Sequence, residues 1–370
     1  MTRATANRRE SERMASKKRI PVAILGATGA VGQRFVQLLE NHPWFHVVAV
    51  AASERSEGKR YAEACTWKLP GEIPEDTRDL IVRSLKPSDL GREDIRLAFS
   101  ALPAGIARSV EPTFVRAGFA VSSNASAFRY EPDIPIILPD VNPDHLALIP
   151  GQRQRRSWPG ALITNPNCTT SGIAVILKPL QEVFGLQRVV VSTLQAVSGA
   201  GYPGIPSLDI LGNVVPYIPG EEEKIEKEAA LLLGAVDDHC QKPAGFTVAA
   251  HANRVPVIDG HTICMSIEFE SDRVAPEEVV KALTGFRGRG AVDNLPSAPR
   301  PAIRVLSEPD RPQPRFDCLA QGGMQVSVGR IRPCPVLDVR LVAVVHNTIR
   351  GAAGGSILNA ELLAHEGWLG

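Results

Sequence analysis

Several features are missing from this sequence, and each absence removes a class of protein. Six cysteines are scattered at positions 65, 168, 240, 264, 318 and 334, with no CxxC pair among them. That argues against a zinc cluster or a disulfide framework and fits a reducing compartment, so a cytoplasmic location and no metal are expected. No apolar run approaches the length of a membrane span. Charge of one sign is not in excess either: the net charge is +1 over 370 residues. The totals therefore give no sign of attraction to nucleic acid or to a membrane surface. The first 18 residues are polar and mostly basic, without the apolar core of a secretory signal. Glu10 and Glu12 count against a transit peptide, Met14 stands just ahead of the first expected strand, and disorder is expected for 1–18. What remains is ordinary soluble composition, 44% hydrophobic and 22% charged, in a chain long enough for two or three domains.

The first informative stretch is "RIPVAIL" followed by "GATGAVG" and "VGQRFVQLLENHP". The opening segment reads as a short buried strand. Val31, Phe35, Leu38 and Leu39 then recur at helical spacing, and "FHVVAVAAS" (45–53) is a second strand. Strand, glycine turn, helix and strand in this order form a dinucleotide-binding unit. Gly26, Gly29 and Gly32, with Thr28, Ala30 and Val31 between and beside them, let backbone N–H groups approach a pyrophosphate at the helix start. The spacing is GxxGxxG, a weak signal by itself. At the end of the second strand stand Ser53, Glu54, Arg55, Ser56 and Lys59. Hydroxyls and cations there suit the 2′-phosphate of NADP, Glu54 is the dissenting residue, and a plain solvated loop is the alternative. The strand at 95–100 breaks into a helix at Pro103, which places Ser100, Ala101 and Leu102 at a carboxyl-terminal strand edge where ligands of such sheets bind. The next strand is followed by Asn124 and by Arg129, a candidate anion ligand.

The segment "ITNPNCTTSGIAVILKPLQEVFG" carries the most specific signal. Ile173, Ile176, Leu177, Leu180, Val183 and Phe184 keep a helical period, with Pro179 as a possible kink. Asn167 is a good N-cap, so Cys168 falls in the first turn. There the helix dipole and unpaired N–H groups favour a thiolate, which is the nucleophilic form. The bland alternative is a small residue filling a helix start. Downstream, a strand from 186 runs into the glycine-rich loop "QAVSGAGYPG", which holds Gln195, Ser198 and Gly199. "PGEEEKIEKEAALLLG" is an acidic helix start with Lys224 one turn after Glu221, and a charged wet face is its simplest reading. Residues 246–270 alternate around Asp259–Gly260, a hairpin signal. It would bring Arg254 and His261 to opposite strands near one turn and into one cleft.

Taken in order, "LGATGAVGQRFVQLLE", "SERSEGK", "NPNCTT", "QAVSGAGYPG", "GEEEKIEKE", "NRVPVIDGHT" and "VGRIR" resemble the motifs of aspartate-semialdehyde dehydrogenases of the archaeal and fungal branch, from about residue 19 to the end. The resemblance implies an α/β protein: a Rossmann-type NADP-binding domain at 19–165, an α+β catalytic and dimerisation domain with a mixed sheet at 166–346, and a C-terminal helix at 347–370 returning to the first. It implies that Cys168 attacks an acyl phosphate, that His261 is the acid/base and that Gln195 orients or polarises the acyl group. Arg254 would grip the substrate carboxylate, Arg129 and Lys224 the phosphate, and Glu221 or Glu222 the ammonium, with the i, i+3 spacing to Lys224 favouring Glu221. Asn124 would join the substrate site. Ser198, Gly199 and Asn347 would join the NADP(H) contacts. Two departures stand out: Asp140 where "PEVN" is expected, and Ala252 where "CNRV" is expected.

The implied reaction is the reductive dephosphorylation of L-4-aspartyl phosphate to L-aspartate 4-semialdehyde through a cysteine thioacyl intermediate, a step in the biosynthesis of lysine, threonine, methionine and isoleucine. Small molecules would be the ligands, with a homodimer or homotetramer as the assembly. Two other readings stay open: a malonyl-CoA reductase with the same thioester chemistry, and a catalytically silent NADP-binding regulator.

Overall fold

The computed structural model describes residues 19–90, 94–237 and 240–369, so the disorder expected for 1–18 lies outside the described residues. Six short strands form the first sheet: β1 (Ile20–Leu25), β2 (Phe45–Ala51), β3 (Val82–Arg83), β4 (Leu97–Ser100), β5 (Ala120–Ser123) and β6 (Ala161–Thr164). They run parallel in the order β3-β2-β1-β4-β5-β6. This is the dinucleotide-binding order, with its switch point between β1 and β4. Parallel sheets are covered on both faces and read as near-continuous apolar runs. Accordingly "IPVAIL" and "LAFS" are almost wholly buried. Helix α1 (Ala30–Leu39) lays Phe35, Val36 and Leu39 on the sheet. Phe35 stacks on Phe99 at 4.9 Å between ring centroids. Each such buried side chain contributes about 1.5–3 kcal/mol relative to exposure. Helix α2 (Ala104–Arg116) follows β4, and α3 (Leu148–Arg156) precedes β6.

Helix α4 (Cys168–Phe184) leads into the second sheet and continues through Pro179. That sheet contains β7 (Arg188–Gln195), β8 (Thr247–Arg254), β9 (His261–Glu268), β10 (Ile303–Val305), β11 (Val326–Pro333) and β12 (Val339–Val345). Its order is β8-β7-β9-β12-β11-β10 with parallel and antiparallel pairs, a mixed sheet as expected. Helices α4, α5 (Glu221–Leu232) and α6 (Pro276–Gly285) cover one face. The other face leaves Val190 and Leu194 exposed.

The hairpin expected at 246–270 does not form. β8 and β9 both pair with β7, which lies between them. The Asp259–Gly260 turn is a crossing over the end of β7, where Val197 and Ser198 N–H donate to Val257 and Ile258 carbonyls. Val189 and Val191 alternate along β7 and are buried in the core on one face of the sheet, so placing β7 between the two strands buries that face. After β12, a π-helical segment, Ile349–Ala353, precedes α7 (Gly354–His365). This last helix is buried almost throughout and packs on α1, β4 and β5.

Candidate functional site

The register of the second sheet builds one row of polar residues. Arg254 of β8 pairs with Gln195 of β7. His261 begins β9 one residue before the Thr262–Leu194 pair, so it stands across from Gln195 on the other side. All three are buried, at 5%, 1% and 0% exposure. The start of α4 meets this row. Asn167 Oδ1 accepts from the N–H groups of Thr169 and Thr170, the expected N-cap, and neither bond uses the N–H of Cys168. A cleft of about 630 Å³ opens there. Cys168, Gln195, Arg254, Asn124, Arg129, Lys224, Glu221, Ser198, Gly199 and Asn347 line it, as do Ala30 and Val31 at the start of α1 and Leu102 just after β4.

Cys168 Sγ lies 3.3 Å from His261 Nε2. The N–H of Ala196 donates to His261 Nδ1 at 3.0 Å. The neutral ring therefore carries its hydrogen on Nε2 and presents it to sulfur. Burial and the nearby Arg254 charge push the imidazole down to about 3. Burial and the Glu221 carboxylate push the thiol up to about 12. The helix start alone favours a thiolate. In the free protein, desolvation and Glu221 oppose it, and both shifts favour a neutral thiol beside a neutral imidazole.

Gly351 of the π segment abuts the cysteine. A Cβ added there would lie 2.6 Å from Cys168 Cβ and 2.7 Å from its Cα. Arg350, beside it, forms a buried ion pair with Asp140, so the shortened acid of "PDVN" anchors this segment. π-Helical turns are frequent at functional sites.

The cations are already partnered. Arg254 Nη1 donates to Ala196 O at 2.8 Å, while its Nε is buried without a partner. Arg129 Nη1 donates to Glu228 at 2.9 Å and Nη2 to Asn124 O at 2.8 Å; its Nε too is buried and unpartnered. Lys224 Nζ lies 3.4 Å from Glu221. Asn124 Oδ1 accepts from Asn165, leaving a buried Nδ2 without a partner. Gln195 Nε2 is held by Thr193 Oγ1 at 3.3 Å and Glu221 at 3.2 Å. The two candidate glutamates, Glu221 and Glu222, differ in position. Glu221 is buried and lines the cleft, whereas Glu222 accepts from Ala252 N–H on the edge strand β8. Glu228 was missed from sequence. It lies two turns after Glu221 on one face of α5, hidden in a run of acids.

Most of the cofactor candidates gather at the glycine turn, at the end of β2 and along the cleft. Gly26 has φ +81°, and an added Cβ would strike Ala101 O at 2.8 Å. Gly29 caps α1 with no side-chain hydrogen bond, and no acid stands in the first turn, so its N–H groups are open to an anion. Thr28 belongs to the same turn, and Gly32 lies in the first turn of α1. Ser53 and Arg55 are exposed at the end of β2, where Ser56 closes a turn onto Ser53 O. Asn347 Nδ2 donates to Ser198 Oγ at 2.7 Å, joining two of the expected contacts. Ala101 lies at the strand edge, while Ser100 is fully buried and does not line the cleft. The residues of this turn and cleft thus fit a dinucleotide. Among the described residues no group of His, Cys, Asp and Glu could hold a metal, and no helix is long and apolar enough to cross a membrane.

Comparisons with known proteins agree with this arrangement. Residues 21–149 match the semialdehyde dehydrogenase NAD binding domain, and residues 177–350 match the semialdehyde dehydrogenase dimerisation domain. The chain is 51% identical to the aspartate-semialdehyde dehydrogenase of Methanothermobacter thermautotrophicus over 93% of its own length and 99% of that protein's. It is 46% identical to that of Cryptococcus neoformans, over 96% and 99%. The crystal structure of aspartate-semialdehyde dehydrogenase with NADP from Candida albicans superposes with a TM-score of 0.88 at 41% identity, covering 95% of this chain and all of that one. With both semialdehyde dehydrogenase domains matched and relatives this similar over nearly the whole chain, the chain belongs to the aspartate-semialdehyde dehydrogenase family.

Proposed function

We propose that this protein converts L-4-aspartyl phosphate to L-aspartate 4-semialdehyde with NADPH, in amino-acid biosynthesis. The observation that carries the reading is a sulfur at the start of a capped helix, 3.3 Å from a buried imidazole, in a cleft that also holds Arg254. The Arg254 guanidinium has an uncommitted Nε for the substrate carboxylate. Glu221 faces the ammonium, and Lys224 with the Arg129 Nε edge faces the phosphate. Cys168 Sγ adds to the acyl carbon to give a tetrahedral oxyanion, which reforms the carbonyl as the C–O bond to phosphate breaks. The thiol proton leaves with the phosphate, so acyl phosphate dianion and thiol become thioester and hydrogen phosphate. The Cys168 N–H, which the N-cap bonds leave unused, and the His261 Nε2–H beside the sulfur would stabilise the developing oxyanion; Gln195, tied to Thr193 and Glu221, would orient the acyl group. When bound, NADPH supplies the hydride that reduces the thioester. The resulting hemithioacetal oxyanion reforms the carbonyl and expels sulfur, which His261 Nε2–H stabilises until water returns the proton.

The division at 19–165, 166–346 and 347–370 belongs to the same proposal, with the nucleotide on the first part and the nucleophile on the second. The chain carries the family's dimerisation domain, and the uncovered face of the second sheet supports a homodimer or a pair of dimers in the cytoplasm. One assay tests the function: phosphate-dependent NADP reduction with aspartate semialdehyde, beside NADPH oxidation with malonyl-CoA. Turnover in the first alone is expected. Turnover only with malonyl-CoA, or with neither, would overturn the proposal.

A further inference from the structure

We propose that Glu228 is a positioning residue that fixes the cysteine-bearing helix start and the Arg129 guanidinium relative to each other; only the identity of the anion rests on the function proposed above. Glu228 is fully buried on α5. Its Oε2 accepts from the backbone N–H of Asn167. Its Oε1 accepts from Arg129 Nη1 at 2.9 Å and from Tyr130 OH at 3.2 Å. Glu221, seven residues earlier and therefore about two turns away on the same face, accepts from Asn167 Nδ2 at 2.8 Å. One helix thus grips the N-cap residue at its backbone with one carboxylate and at its side chain with another. Asn167 is peptide-bonded to Cys168, so α5 sets where the sulfur stands.

The charge on Glu228 has a reason of its own. A neutral acceptor would serve the Asn167 N–H. Burying a carboxylate is costly unless it is paired, and the pairing here is to Arg129. Arg129 is also tied through Nη2 to Asn124 O, which leaves only its Nε edge uncommitted. Glu228 and Asn124 together aim that edge. A single side chain therefore couples the place of the nucleophile to the place of the anion.

Two substitutions test this. Glu228→Gln keeps the shape but offers one acceptor and an amide group to a site of three donors. Glu228→Asp keeps the charge and withdraws it by one methylene. Two quantities are measured: kcat in phosphate-dependent NADP reduction, and the concentration of inorganic phosphate that half-protects Cys168 from iodoacetamide, read on the Cys168 peptide by mass spectrometry. In Glu228→Gln, kcat is expected to fall at least tenfold and the half-protecting concentration to rise at least tenfold, with a smaller change in both for Glu228→Asp. Either quantity at its wild-type value in a folded variant overturns the proposal. So does tighter protection, which would mean that the carboxylate restrains the arginine charge rather than placing it. If the Gln variant does not fold, the Asp variant is read against the same outcomes. Protection needs no turnover, so a wild-type protein inactive on aspartate semialdehyde would end the functional reading and leave this test intact.

Discussion

Replacing Gly351 with alanine probes how closely the nucleophile is held. The added Cβ would stand 2.6 Å from Cys168 Cβ, 2.7 Å from its Cα and 2.9 Å from its carbonyl oxygen. Non-bonded carbons rest at about 3.5–4.0 Å, so one partner must yield by roughly 1 Å. Backbone is involved on both sides, and neither side yields easily. The π segment is pinned by the buried Arg350–Asp140 pair, and the start of α4 by Asn167 and its carboxylate clamps. A displacement of this size at a reacting atom costs about 100-fold in rate, or ~2.7 kcal/mol of barrier. Gly351→Ala is therefore expected to lose about 100-fold in kcat for phosphate-dependent NADP reduction, with a smaller change in KM for aspartate semialdehyde. Thermal melting is run in parallel, because overpacking of this kind costs about 1–3 kcal/mol of stability. A folded variant with wild-type kcat would refute the claim that the π segment sets the sulfur position.

Three further outcomes follow from the protonation states. Alkylation of Cys168 by iodoacetamide in the free protein is expected to keep rising with pH beyond pH 9, because burial and Glu221 hold the thiol up to about 12; a plateau near pH 6 would instead reveal a standing thiolate–imidazolium pair. His261→Asn, which can still donate an N–H, is expected to retain more kcat than His261→Ala, where loss of the donor costs about 10²–10³-fold; equal losses would show that the ring acts as a base. Glu111, buried beneath β4 and β5 and bonded to Ser123 Oγ at 2.6 Å, has its carboxyl pushed up by burial to about 7 from an ordinary 4.5. The unfolded chain ionises first, so stability present below pH 4.5 is lost as pH rises to 7, by ~3 kcal/mol in all. Glu111→Gln should lack that loss in denaturant titrations at pH 5 and 8, and an unchanged pH dependence would contradict the burial argument.

The parts of the protein that were legible in sequence are those encoded by a local period. The β1–α1–β2 unit, the helix from Cys168 and the acidic start of α5 each follow from spacing and caps. The hairpin failed because a DG turn speaks only for its own residues, whereas the partner of a strand is chosen by distant ones, here Val189 and Val191 of β7. The position of Cys168 in a first turn was readable, but its protonation was not. Helix-start polarity is local, and the desolvation and Glu221 charge that oppose it come from the fold. Glu228 was invisible for a related reason: in "EEEKIEKE" only the packing tells a buried acid from a wet one. Glu222 shows the contrast, bound to the edge-strand N–H of Ala252. Gly351 sits in a run of alanines and glycines where no single residue stands out. Its contact with Cys168 spans most of the second half of the chain.

The central claim is that Cys168 carries the acyl group, and a trapped adduct tests it most directly. Wild-type protein is mixed with L-4-aspartyl phosphate in the absence of NADPH, quenched in acid, digested and mapped by mass spectrometry. An aspartyl thioester on the peptide containing Cys168, absent from Cys168→Ser, is the predicted result. An adduct on another residue, or a Cys168→Ser variant that turns over at the wild-type rate, would contradict the account.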